Sequence, residues 1–230
     1  MGGFLYSKFI SDLIRRTDTN LGVINELHET KNSEYEVYEI TQLVNSLFSS
    51  IVFPYEKYKS LLTQQEKVFL SQCSNNLDID DESNEIFMIL KKNYDNKKYF
   101  NNYENQKTIP SKYDESQFSF LVNTISHFRN ALSHSGNKRL LFVSSYNPEL
   151  QGEEITSIIF MDHYDKDDIK SDFCIELTIK DVKIIRNSIT GIFQKIELAY
   201  EQTSFHRDEF IDYSNKIKAA RTLMEKRKVK

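Results

Sequence analysis

The sequence predicts a mainly α fold, a helical bundle interrupted once by a small antiparallel sheet of about three strands. Three observations carry that expectation. Glycine and proline are scarce, 6 and 3 in 230 residues, too few for a turn-rich all-β architecture whose tight reversals draw on those two residues. Apolar side chains step by three and four through several long segments, which is the spacing of one helix face. Between residues 140 and 179 the period changes toward two, the alternation of a strand.

In chain order, Phe4, Leu5, Phe9, Ile10, Leu13 and Ile14 place one apolar stripe on a helix over 3–16. Arg15 and Arg16 would then occupy its C-terminal end, where the macrodipole favours cations. A second helix follows from Val37, Ile40, Val44, Leu47 and Ile51, and Phe53-Pro54 is expected to stop it, because proline disfavours helix in the residue before it. Residues 55–70 continue as helix. The stretch 71–116 is polar, with an acidic run from Asp78 to Glu82, and reads as an insertion or loop carrying one short helix near 84–94.

Periodicity returns at 116–134 with Phe118, Leu121, Val122, Ile125, Phe128 and Leu132. Strands are expected at 140–145, 155–161 and 173–179, with turns at Asn147-Pro148 and in the 165–168 cluster. Thr178, with Asp181 three residues on, matches a capping box, and Val182, Ile185, Ile189, Ile192, Ile196 and Ala199 mark one long helix after it. The expected division is one domain over 1–202, containing the 71–116 insertion and a β insertion at 140–179. A helical tail over 203–230 follows, rich in Lys216, Lys218, Arg221, Lys226, Arg227, Lys228 and Lys230.

Several function classes fall away. Thirty Lys+Arg against 34 Asp+Glu leave a formal charge of −4, which excludes a wholly basic nucleic-acid coat. Cys73 and Cys174 are isolated and form no C-x-x-C unit. There is no apolar run of membrane-spanning length and no leader pattern, so a cytoplasmic protein is expected. The chain contains no H-E-x-x-H, no G-x-x-x-x-G-K-[ST] and no G-x-G-x-x-G. His28, His163 and His206 have no ligand spacing, so neither a metal nor a cofactor is expected.

The helix containing Arg129 carries the chemistry. At about 100° per residue from Phe118, Arg129 lands near 20°, inside the apolar arc, where a guanidinium needs a partner or an anion. Asn123, His127, Asn130 and His134 fall between about 120° and 180°, as one polar stripe. Ser126 and Ser133 lie between stripe and arginine. A helix end with a dipole-stabilised histidine would account for the same spacing.

Phe128-Arg129-Asn130-Ala131-Leu132-Ser133-His134-Ser135-Gly136 resembles the R-x4-6-H signature of the HEPN superfamily, in the version with Asn after the Arg. The signature ends an amphipathic helix. A strand-rich segment and a long helix follow it, and an earlier helix reads Gln42-Leu-Val-Asn45-Ser-Leu47 up to Phe53-Pro54. That combination is similar to a plasmid-encoded branch of HEPN nucleases, over about residues 1–60 and 115–200.

The resemblance implies a metal-independent endoribonuclease, acting as a toxin or phage-defence effector, with its active site composed at a homodimer interface. His134 would be the general acid or base for attack of the RNA 2′-hydroxyl on the adjacent phosphate, leaving a 2′,3′-cyclic phosphate and a 5′-hydroxyl. Arg129 would hold the phosphate and Asn130 would orient the His ring or the scissile group. Imidazole and guanidinium suit those roles by their own chemistry. Ser133, Lys138 and Arg139 beside the signature would contact the RNA, while Glu39, Asn45 and His127 would support Arg129 or His134. Many HEPN toxins carry a tyrosine two residues after the His; Gly136 stands there in this chain, leaving no such tyrosine for an antitoxin to modify. An antitoxin or defence partner of another kind stays open. The alternative is a non-catalytic HEPN-like protein that binds RNA or nucleotide, or a dimeric interaction module.

Overall fold

The computed structural model describes residues 9–29, 39–63, 78–96, 98–101, 109–134, 139–148, 152–162 and 173–201, with 215 and 218–222. The elements are α1 (Phe9–Glu29), α2 (Glu39–Leu47), a π-helical turn (Phe48–Val52), α3 (Phe53–Thr63), α4 (Asp80–Asp95), β1 (Tyr99–Asn101), a 3₁₀ turn (Glu115–Gln117), α5 (Phe118–Ser133), β2 (Leu140–Asn147), β3 (Gly152–Asp162), β4 (Phe173–Thr178) and α6 (Ile179–Glu201). Helices predominate and the sheet is small and antiparallel, as expected. Most of the 203–230 tail lies outside the described residues; 218–222 are helical and exposed.

Two helix boundaries differ from the sequence expectation. α1 runs to Glu29, so Arg15 and Arg16 sit within it rather than at its end. The second departure is at Phe53-Pro54, which does not stop the chain's helical course. Proline lacks an N–H and its ring clashes with the carbonyl four residues back. The π-helical turn places one extra residue per turn just before it, with the Phe53 N–H donating to the Phe48 carbonyl. Pro54 then occupies the first turn of α3, where a missing N–H costs nothing.

The stretch 71–116, expected to be a polar insertion or loop, contributes structure and core. α4 buries Ile86, Phe87, Ile89 and Leu90, and Tyr99 and Tyr113 are buried as well. β1 adds an edge strand, so the sheet has four strands in the order β1-β4-β3-β2. The expected three are those of the insertion between α5 and α6. Register pairs Leu140 with Phe160 and Phe160 with Ile175, and a bulge lies between Val143 and Ser144.

One sheet face packs Ile158, Phe160, Phe173, Ile175 and Leu177 against α5 and α6. Phe128 meets Phe160 and Phe173 edge-on, with ring centroids 5.2 and 5.5 Å apart. Thr178 caps α6 by accepting the Asp181 N–H at 3.2 Å, and Asp181 in turn accepts Lys92 of α4 at 3.0 Å. At the far end of α6, buried Glu197 accepts Tyr58 Oη of α3 at 3.2 Å and the Ser11 N–H of α1 at 2.8 Å. These bonds tie α1, α3 and α4 to the long helix.

Candidate functional site

α5 ends where its apolar spacing ends. Ser133 is its last residue, and His134 caps it with φ −114° and ψ 24°, its N–H donating to the Asn130 carbonyl at 3.1 Å. Both Ser133 and His134 are exposed. The helix therefore carries the imidazole to the surface while the preceding turn, Phe128 to Leu132, is anchored in the core.

Arg129 lies half-buried on the flank of that turn. Its NH2 is paired with the Glu56 carboxylate of α3, and its NH1 donates to Asn130 Oδ1 at 2.8 Å. Asn130 uses its other end, Nδ2, to donate to Asp162 Oδ2 at 2.9 Å. An amide bonded at both ends is fixed in flip and rotamer, so the chain Glu56, Arg129, Asn130, Asp162 holds the guanidinium in one orientation.

Asp162, the last residue of β3, is the hub of this arrangement. It is 8% exposed and accepts three side chains: His127 Nδ1 at 2.9 Å, Asn130 Nδ2 at 2.9 Å and Arg139 NH1 at 2.9 Å. Burial works to raise its pKa. The hydrogen bonds from His127 and Asn130, and then the electrostatic pull of His127 and Arg139, outweigh it and hold the carboxyl below the ordinary 3.8. An ionised carboxylate only accepts, so His127 carries a proton on Nδ1. Its ring stacks on Phe173 at 4.7 Å with a 10° interplanar angle.

The structure thus gathers some expected residues and separates others. Arg129, Asn130, His127 and Arg139 share one network, with His134 and Ser133 at its exposed rim. His127 is not on an open polar stripe: the sheet covers that side of α5 and buries it. One arm of Arg139 is committed to Asp162, which leaves less of it for RNA than its place after the signature suggests. The carboxylate beside Arg129 is Glu56, and Asn45 is exposed on α2, lining a shallow pocket with Phe142 and Ile155. Glu39 opens α2, and its side chain lies outside the described residues, as does Lys138.

Glu56 and Asp162 were not foreseen. Each is one carboxylate among many, and neither stands at helical or strand spacing from Arg129. The one signal for Asp162 is a charge directly after the apolar run Ile158, Ile159, Phe160, Met161.

Among the described residues, no group of three or more His, Cys, Asp or Glu is placed to hold a metal ion, and no helix is long and apolar enough to cross a membrane. Neither the curated proteins nor the solved structures compared with the chain gave a match. A family model described as HEPN pEK499 p136 matches residues 4–201. That span runs from before α1 to the end of α6 and takes in the Arg129-to-His134 turn, the sheet and both long helices, and by it the chain belongs to the HEPN family.

Proposed function

We propose that this protein is an endoribonuclease that needs no metal, cutting RNA by attack of the 2′-hydroxyl on the adjacent phosphate. The observation that carries the reading is the division of labour at the end of α5. A guanidinium is braced by Glu56 and Asn130, and five residues on, an imidazole stands in solvent on the helix cap. Among the described residues His134 has no side-chain hydrogen bond, so its ring is available to a substrate. Guanidinium matches phosphate oxygens with two parallel donors and never loses its charge. Imidazole exchanges protons near neutral pH.

In this mechanism Arg129 binds the scissile phosphate and stabilises the charge that builds on it. His134 takes the 2′-hydroxyl proton or returns one to the 5′-oxygen leaving group. The products are a 2′,3′-cyclic phosphate and a 5′-hydroxyl. DNA lacks the nucleophile and is not a substrate. A single chain offers one such histidine, whereas this reaction uses an acid and a base; two copies facing each other through their α5 ends supply both, and the active form is a homodimer. A toxin or phage-defence effector, held silent by a partner, is the role such a cytoplasmic nuclease would play.

The experiment is incubation of wild type and His134→Ala with total cellular RNA in EDTA, followed by mapping of fragment ends. Cleavage by wild type alone, with cyclic phosphate and 5′-hydroxyl ends, is expected. Cleavage that vanishes on chelation and returns with added metal would contradict the mechanism. Intact RNA with both proteins, and RNA retained by both, would favour a binding protein.

A further inference from the structure

A second arginine is built like Arg129, on the other long helix. Arg186 of α6 is followed by Asn187, and its NH1 donates to Asn187 Oδ1 at 3.0 Å. Its NH2 is ion-paired with Asp18 of α1. Arg186 is 5% exposed, and among the described residues its Nε has no hydrogen-bond partner. It borders a cavity of about 470 Å³ between α1 and α6, together with Lys183, Thr190 and Gly22. That volume falls in the range of small-molecule pockets, roughly 300–1,000 Å³.

From this we infer a binding site for a small phosphate monoester, distinct from the α5 end and not dependent on the nuclease reading. A guanidinium so buried is stable only with an anion beside it. The anion it has is exchangeable: the Asp18 side chain is 45% exposed against 6% for that of Arg186. The carboxylate can turn into water while the arginine cannot leave. A phosphate then meets Arg186, with Lys183 in the same lining. Thr190, whose Oγ1 is buried without a hydrogen bond among the described residues, offers a hydroxyl in the same wall. Leu21 and Leu43 supply an apolar side for the body of the ligand. Among the described residues that line the cavity there is no histidine or cysteine.

Gly22 makes the test clean. A Cβ built there meets nothing within 4 Å, so Gly22→Leu enters the open space and, within a helix, removes a destabilising glycine. Titration calorimetry of the full chain with glycerol 3-phosphate, and with glycerol as control, should show one saturable site for the ester alone. Gly22→Leu should weaken it at least about tenfold with an unchanged or raised melting temperature, Arg186→Gln should abolish it, and Asp18→Asn should tighten it by removing the competing carboxylate. Absence of saturable binding by wild type would overturn the site. So would binding that is indifferent to Gly22→Leu, or that is lost in Arg129→Ala instead, which would place the phosphate at the α5 end.

Discussion

Arg129 and Arg186 occupy the same local arrangement and differ in what surrounds them. Each is followed by an asparagine that accepts from its NH1, at 2.8 and 3.0 Å, and each is paired with a carboxylate from a neighbouring helix, Glu56 or Asp18. Five residues on, α5 ends on His134, whereas α6 continues through Gly191 for ten more residues to Glu201. Asn130 is tied onward to Asp162, while Asn187 is exposed. An Arg-Asn step thus presents a braced guanidinium on both helices; under the proposed mechanism it is the histidine at the end of α5 that adds proton transfer to anion binding. A histidine could not simply be added at the second site. A Cβ on Gly191 would come within 2.9 Å of Glu82 Oε1, on a carboxylate whose Oε2 accepts Lys195 at 2.7 Å.

The largest effect that separates the two sites is on rate. His134→Ala should lower RNA cleavage by about 10²- to 10⁴-fold, the usual contribution of general acid–base catalysis. Its melting temperature should barely move, because the side chain is exposed. Gly22→Leu, filling the second site, should leave cleavage as it is. A reversal of these two results in a quantitative cleavage assay would transfer the chemistry from α5 to α6. Arg129→Lys should not restore the activity that Arg129→Ala loses, since an ammonium is a point charge without the planar fork; full activity in the Lys variant would remove the two-donor contact.

Stability discriminates the two carboxylates next. Asp162 is buried and satisfies His127, Asn130 and Arg139 together, so Asp162→Ala strands three donors and should cost about 3 kcal/mol in denaturant unfolding. Asp18→Ala leaves the Arg186 guanidinium buried without its anion and should cost a similar amount, about 3 kcal/mol, but glycerol 3-phosphate should restore stability to Asp18→Ala and not to Asp162→Ala. A loss in Asp18→Ala that glycerol 3-phosphate leaves unchanged would defeat the exchangeable-anion argument.

The two sites were also unequally legible. The helix bearing Arg129 and the cap bearing His134 follow from a local period and a local motif, as does α6 from Thr178 and the stripe through Ala199. What lay beyond reach depends on chain reversal. Whether His127 faces water or Asp162 is decided by a sheet that folds back over α5, and helical spacing cannot see that sheet. Pro54 reads as a stop because its rule concerns the α-helix, and the π turn that accommodates it has no period of its own. The 71–116 stretch reads as polar because its buried residues Ile86, Phe87, Leu90 and Tyr113 are diluted among charges. The Arg186 site was not foreseen, because Asp18 and Arg186 meet only when α1 packs on α6.

The smallest effect concerns acid, and it sharpens the contrast between a hub and an exposed pair. The Asp162 pKa is lowered in the folded protein relative to 3.8. A lowered carboxylate pKa means that the folded state holds fewer protons than the unfolded one between those two values, so this group's contribution is fully present above about pH 4 and is lost as pH falls through the folded pKa. Unfolding free energy measured between pH 5 and 2 should therefore decline in wild type by more than in Asp162→Asn, which has no carboxyl to protonate there. Parallel pH curves for wild type and Asp162→Asn would show that the hub's charge is not what holds Asn130, and through it Arg129, in place.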